Sequence, residues 1–355
     1  MALPRTETLK DHYPWTQAPL VSCAPMRLIA TCPLASAVSR AGGLGFLGAG
    51  TDVSTLSDLL KEATTSFEES PLANTPDGVL PLGVGFICWG ADLSRTLSAI
   101  EAAPLKPVAA WLFAPQDPKE LVSWSEGIRK SSNGKTKIWI QVGTVASAID
   151  VAKSCKPDVL VIQGADAGGH GLAQSSSIIS LLPECADSLA CEGFEGIPLI
   201  ATGGIMDGRG VAAALMLGAS GVCMGTRFLA SPEAVISEGY RKAVVDASDG
   251  GVTTARTTVY DKARGTHGWP GIYNGRAVLN QSYWDSQKGM TEEENAKLYE
   301  EAAKKGDQGW GETGRMTTYA GTGVGLVKKV MPAGEIVKEV LRDSAQRLSK
   351  SGPKN

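Results

Sequence analysis

The chain reads as an α/β protein built on a (β/α)8 barrel, the TIM-barrel architecture, with a small inserted, largely helical and irregular second domain near the C-terminus. Three observations predict this. About eight short apolar runs of strand length alternate with helix-length amphipathic segments through the first two thirds of the 355 residues. The runs are apolar throughout, as expected for parallel strands covered by helices on the outer face of the sheet. After Ser231 the sequence turns polar and turn-rich, then returns to one last amphipathic segment.

The predicted strands occupy residues 21–25, 44–47, 83–87, 108–113, 137–142, 159–162, 198–201 and 221–224. Helix candidates between them include 34–41, 54–67, 145–154 and 209–217, which tend to stop at glycine or before a Lys-Pro or glycine-rich turn. A doubly wound open sheet is the competing architecture, and Gly43-Leu-Gly-Phe-Leu-Gly48 does match G-x-G-x-x-G. A dinucleotide fingerprint must follow a strand and open a helix. This one follows a helix pattern and enters a strand, so it reads as a decoy made by a tight, close-packed corner.

Residues 1–240 are expected to form the barrel, completed by 311–355, with 241–310 as the substrate-side insertion. Turn-prone pieces such as Ser248-Asp-Gly-Gly251 and Trp269-Pro-Gly-Ile272 mark the insertion, and 291–305 is a charged helix candidate. A glycine-rich turn, Tyr319-Ala-Gly-Thr-Gly-Val-Gly325, leads to a last helix starting near Pro332. Its inward face would carry Ile336, Val337, Val340 and Leu341.

Composition excludes several function classes. The 34 basic and 37 acidic residues nearly cancel, and no basic stripe appears, which argues against nucleic acid and a membrane surface as partners. No apolar stretch reaches 18 residues. Residues 1–15 lack the layout of a signal peptide, and 351–355 do not end in a peroxisomal tripeptide. The seven cysteines are odd in number, scattered in apolar segments and without a C-x-x-C pair. They read as reduced, mostly buried thiols with no metal site, and the expected location is cytoplasmic. The sequon at Asn280-Gln-Ser282 reads as chance.

The chemistry concentrates at strand ends, where a barrel of this kind places its active site. The run 159–162 breaks into Gln163-Gly-Ala-Asp-Ala-Gly-Gly-His170, and His170 is one of three histidines. Imidazole titrates near neutrality, so His170, at the catalytic end of the sixth strand, is the candidate acid/base. Asp166 could orient it or could cap its own turn. His12 reads as a surface residue and His267 as an unassigned loop residue. Gln141 and Gln163 close neighbouring strands and could offer amides to a heterocycle edge, or be satisfied by nearby backbone. Met26 could wall the site or simply pack. Gly203, Gly204, Gly225 and Thr226 follow the seventh and eighth strands, where a phosphate is commonly held by backbone amides. The helix start at 207–209 would add its dipole there.

These residues resemble a family. The His170 motif, Ala201-Thr-Gly-Gly-Ile-Met-Asp-Gly-Arg-Gly210 and Met224-Gly-Thr-Arg-Phe228 are similar to nitronate monooxygenases, formerly called 2-nitropropane dioxygenases. So are Ser22-Cys-Ala-Pro-Met26, Ala37-Val-Ser-Arg-Ala-Gly-Gly43 and Ala320-Gly-Thr-Gly-Val-Gly-Leu326. Gly83-Val-Gly-Phe-Ile87, Ala110-Trp-Leu-Phe-Ala114 and Gln141-Val-Gly-Thr-Val145 look most like the fungal members.

The resemblance covers residues 21–341 and implies non-covalent FMN. It places the phosphate on Gly203, Gly204, Gly225 and Thr226, and Met224 is expected among the cofactor-binding residues. The ring would lie near Met26, Gln141, Gln163 and Gly168, with Ala24 and Gly169 as further cofactor-binding residues. It makes His170 the catalytic base in the oxidation of alkyl nitronates by O2 to a carbonyl compound and nitrite, with neutral nitroalkanes as an open further substrate class. Many bacterial members carry asparagine where this chain has Gly85, so that contact is not carried over. Two other readings stay open: an NAD(P)H-dependent FMN reductase of quinones or enoyl thioesters, and a flavin-binding protein without catalysis. Phe86, Ile87 and Trp111 are expected in the pocket wall. The oligomeric state is open, a homodimer included.

Overall fold

The structure, a computed structural model, describes residues 6–351. Residues 1–5 and 352–355, on which the targeting expectations partly rest, lie outside the described residues. All eight apolar runs form strands. In chain order the strands are β1 (Leu20–Cys23), β2 (Phe46–Gly50), β3 (Val79–Ile87), β4 (Lys106–Phe113), β5 (Lys137–Val142) and β6 (Val159–Gln163). They continue with β7 (Gly169–Leu172), β8 (Leu199–Thr202), β9 (Gly221–Met224), β10 (Thr254–Thr257) and β11 (Tyr273–Val278). The order β1-β9-β8-β6-β5-β4-β3-β2 forms one eight-stranded sheet whose neighbours pair in parallel. A parallel bridge between Ser22 and Leu44 joins its two edges, with Cys23 N–H donating to Leu44 O at 3.1 Å. The sheet thus closes as a (β/α)8 barrel.

Helix α1 (Thr6–His12) precedes the barrel. The outer ring is α2 (Cys32–Arg40), α3 (Leu56–Glu69), α4 (Leu93–Ala102), α5 (Glu120–Ser131), α6 (Val145–Cys155), α7 (Ile178–Cys191) and α8 (Gly208–Met216). The four helices expected there lie within two residues of their predicted ends. Local chemistry sets those ends. Thr144 Oγ1 accepts from Ser147 N–H at 3.1 Å to start α6, and Lys156 turns left-handed (φ 47°) before Pro157 to stop it.

The short α9 (Thr226–Leu229) follows the last barrel strand. Then come α10 (Glu238–Asp246), α11 (Gly250–Thr253), α12 (Val259–Ala263), α13 (Gln281–Gln287), α14 (Glu292–Ala303) and α15 (Ala333–Ser351). Helix α15 packs on α2 and α8 and buries Ile336, Val337, Val340 and Leu341, the inward face read from the sequence. Among the described residues no helix is long and apolar enough to cross a membrane.

Side chains alternate between two cores along the central strands. Ile138 and Ile140 of β5 and Leu160 and Ile162 of β6 face the helices, while Trp139, Val159 and Val161 fill the barrel. Tyr13 and Trp15 join this inner core from the N-terminal segment, and Trp139 Nε1 donates to Tyr13 Oη at 2.6 Å. His12, expected at the surface, is instead half-buried beside Tyr13, with Nδ1 enclosed. Burial, then the nearby Lys137 charge, pushes its imidazole below the ordinary value.

The Gly43–Gly48 motif sits at a close-packed corner between α2 and β2, as expected for the decoy. A Cβ on Gly45 would lie 2.0 Å from Ala35 O. One expectation is refined: His170, read from the sequence at the end of the sixth strand, lies on a strand of its own, β7. β7 pairs antiparallel with β11, which pairs with β10, so the late region adds two strands over the barrel mouth.

Candidate active site

The alternation that fills the barrel also aims its top residues. Gln141 and Gln163 share the inward parity of Trp139 and Val161, one step further toward the C-terminal ends. Both therefore reach a cavity of about 740 Å³ that opens where the strands end. Gln141 Oε1 accepts from Trp111 Nε1 at 3.0 Å, which turns its amide nitrogen the other way. That Nε2 is buried and has no hydrogen-bond partner among the described residues. Gln163 Nε2 donates to the His170 carbonyl at 3.2 Å, so this glutamine anchors the histidine strand.

The remaining sequence-predicted residues converge on the same space with one exception. Ala24, Met26, Gly168, Gly169, His170, Gly203, Gly204, Gly225 and Thr226 all line the cavity, as do Phe86, Ile87 and Trp111 of the expected wall. Met224 does not. Cys223 takes the inward position on β9, so Met224 points into the outer core and only its carbonyl takes part, accepting from Ala24 N–H at 3.0 Å.

Gly203 and Gly204 hold φ of 109° and 77°, a conformation that disfavours L side chains, and this turns the backbone sharply after β8. Thr226 Oγ1 accepts from Gly321 N–H at 3.1 Å, which leaves its hydrogen free to donate. The start of α8 plays no part in the cavity. Asp207 caps it through its own carboxylate, accepting from Arg209 N–H at 2.9 Å, and the residue lies outside the lining.

The loop before His170 is clamped from several sides. Arg256 donates to the carbonyls of Ala165 and Ala167 at 3.3 and 3.1 Å, and Arg276 donates to Ala165 O at 3.3 Å. Burial and the neighbouring Arg276 push the Arg256 guanidinium down to about 10. Asp166 accepts from Thr322 Oγ1 at 2.8 Å, so it ties the loop to the glycine-rich turn and does not orient the histidine.

The partner of His170 is Asp261, from α12. His170 Nε2 lies 2.9 Å from both carboxylate oxygens, and the two side chains are 13 % and 10 % exposed. Tyr319 Oη donates to Asp261 Oδ1 at 3.0 Å. Burial, then the Asp261 charge, pushes the Tyr319 phenol up, so it stays a donor. The ring of Trp269 stacks on His170 at 3.8 Å with 5° between planes. Sequence reasoning missed Asp261, Tyr319 and Trp269 as site residues. Asp261 lies 91 positions from His170, and only the pairing of β7 with β11 brings the late region within reach. His267, left unassigned, lines the outer cavity with Arg264, Thr266 and Trp89.

Gly85 also lines the cavity. A Cβ there would lie 2.2 Å from the Pro25 Cβ, so close packing on Pro25 explains why this chain keeps glycine.

Comparison with known proteins shows the family and the fold. The family model for nitronate monooxygenase matches residues 113–343. A nitronate monooxygenase of Metarhizium robertsii is 46 % identical over 96 % of this chain and 95 % of its own length. Another, of Neurospora crassa, is 39 % identical over 96 % and 93 %. Two solved structures share the fold. One is FabK from Thermotoga maritima, with TM-score 0.71, 23 % identity and 96 % and 97 % of the two chains covered. The other is a nitroalkane oxidase from Streptomyces ansochromogenes, with TM-score 0.71, 22 % identity and 97 % and 100 % covered. With its barrel, its His170 cavity and two fungal relatives matched along nearly their whole length, the chain belongs to the nitronate monooxygenase family.

Proposed function

We propose that this protein uses bound FMN and O2 to oxidise alkyl nitronates to a carbonyl compound and nitrite. Neutral nitroalkanes enter the same reaction once His170 has removed an α-proton. The observation that carries the reading is His170 in the cavity wall with Nε2 engaged by Asp261. Among the described residues Nδ1 has no hydrogen-bond partner, which leaves it to accept a proton. Written without an external reductant, two nitronates and one O2 give two carbonyls and two nitrites, and atoms and charge balance.

The cavity fits FMN on three counts. The buried Gln141 Nε2 is a donor in search of an acceptor, such as a ring carbonyl or nitrogen. Gly203 and Gly204 bend the chain so that backbone can approach a phosphate closely. A Cβ on Gly225 would meet nothing nearer than Ala24 Cβ at 3.6 Å, so this glycine opens onto free space. Gly203, Gly204, Gly225 and Thr226 would hold the phosphate, and Ala24, Met26, Gln141, Gln163, Gly168 and Gly169 would border the ring. When bound, FMN supplies the electron-transfer chemistry between nitronate and O2.

Residues 241–310 serve as a substrate-side insertion over the barrel formed by 1–240 and 311–355. The reading is supported by Arg264, His267 and Trp269 in the outer cavity wall.

The test is His170→Asn with FMN content confirmed. Turnover of neutral nitroethane should fall about 10²–10⁴-fold, the usual contribution of a general base, while ethylnitronate is still consumed. Wild-type turnover of neutral nitroethane by the FMN-bound variant would overturn the assignment of the base.

A further inference from the structure

The late region does more than wall the cavity, because it carries the group that holds His170. Asp261 reaches the ring from α12, and its two oxygens sit at equal 2.9 Å distances from Nε2. A carboxylate only accepts, so the hydrogen of a neutral ring must lie on Nε2, and the lone pair must lie on Nδ1. Three contacts hold this arrangement. Tyr319 Oη donates to Asp261 Oδ1 at 3.0 Å, Trp269 stacks flat on the imidazole, and Gln163 binds the His170 carbonyl. Gly275, opposite His170 in the β7–β11 register, makes room for the assembly; a Cβ there would lie 2.8 Å from Tyr319 Cε1.

We propose that Asp261 is the positioning residue of the base, fixing His170 as the Nε2–H tautomer so that Nδ1 can take the substrate α-proton, with Tyr319 holding the carboxylate in line. The inference rests on the reading of His170 as base. In the step, the C–H electron pair moves into the nitro group as the nitronate forms. The proton goes to Nδ1, and the resulting imidazolium lies against the Asp261 carboxylate. Asp261 itself stays ionised. A nitronate supplied ready-made has no proton to lose, so Asp261 matters for one substrate form and not for the other.

That asymmetry separates positioning from a merely structural tie between the insertion and the barrel. In Asp261→Asn, the amide can donate to Nε2 and favour the wrong tautomer. The value of kcat/KM for neutral nitroethane should fall about 10²–10⁴-fold, while that for ethylnitronate stays within about threefold at equal FMN content. Tyr319→Phe removes one donor to the carboxylate and should cost neutral nitroethane about tenfold or less.

A second readout needs no turnover. With three histidines in the chain, side-chain ¹⁵N NMR can follow each ring. His170 should show the Nε2–H tautomer in the wild type and lose it in Asp261→Asn. An Nδ1–H tautomer in the wild type would overturn the proposal even if the variant failed to fold. Equal losses on both substrate forms would also overturn it, as the mark of a structural tie. If His170→Asn separates the two substrate forms and Asp261→Asn does not, only this inference fails. If His170→Asn does not separate them, the base reading fails first.

Discussion

Glycines at the cavity play two different parts, and single substitutions should tell them apart. Gly225 faces open space: a Cβ there would lie 3.6 Å from Ala24 Cβ and 3.8 Å from Met26 Sδ. Gly225→Val should therefore fold with near wild-type stability yet purify without flavin, read by visible absorbance after gel filtration. Gly168 faces backbone, since a Cβ there would lie 2.4 Å from Ala320 C and Gly321 N. Gly168→Ala should destabilise the protein itself, by about 1–3 kcal/mol as for other overpacked sites, read by urea denaturation. Much at this scale is legible in the sequence. Strand parity aims Gln141 and Gln163 at the barrel mouth, and strand ends locate the histidine and the glycines. Met224 shows the limit: it ends its strand as Gln163 does, but Cys223 holds the inward position and the Met224 side chain turns away from the cavity. Asp261 is not legible, because a carboxylate on a short polar helix carries no local mark of the ring it will meet.

At the scale of elements, the barrel strands and their flanking helices can be read because each has its own signal. Continuous apolar runs specify buried parallel strands, and capping residues and glycines punctuate the helices. Strands β7, β10 and β11 lack such a signal. Gly169–Leu172 and Thr254–Thr257 have four residues each, and their pairing depends on a register between distant segments. The final helix shows how an element can be tested. Ile336 is fully buried where α15 packs on α2 and α8, so Ile336→Ala should cost about 2–5 kcal/mol in denaturant-induced unfolding. A loss below about 0.5 kcal/mol, the level of an ordinary surface substitution, would mean that α15 does not help to close the ring.

On the scale of the whole molecule, the barrel supplies the rim and the late region supplies Asp261, the partner of His170. The thiols report how tightly the fold is packed. Six of the seven cysteines are buried and Cys191 is exposed. Burial pushes the Cys88, Cys185 and Cys223 thiols up to about 12, so they remain protonated and unreactive at neutral pH. A thiol reagent should therefore modify one cysteine in the native protein and all seven in denaturant, counted by mass spectrometry. The central claim is that electrons enter from a nitronate, and anaerobic mixing of the FMN-bound protein tests it most directly. Ethylnitronate should bleach the visible flavin band within the mixing experiment, while NADH and NADPH leave it unchanged. Rapid bleaching by a reduced nicotinamide, with no response to ethylnitronate, would contradict the account and identify a flavin reductase instead.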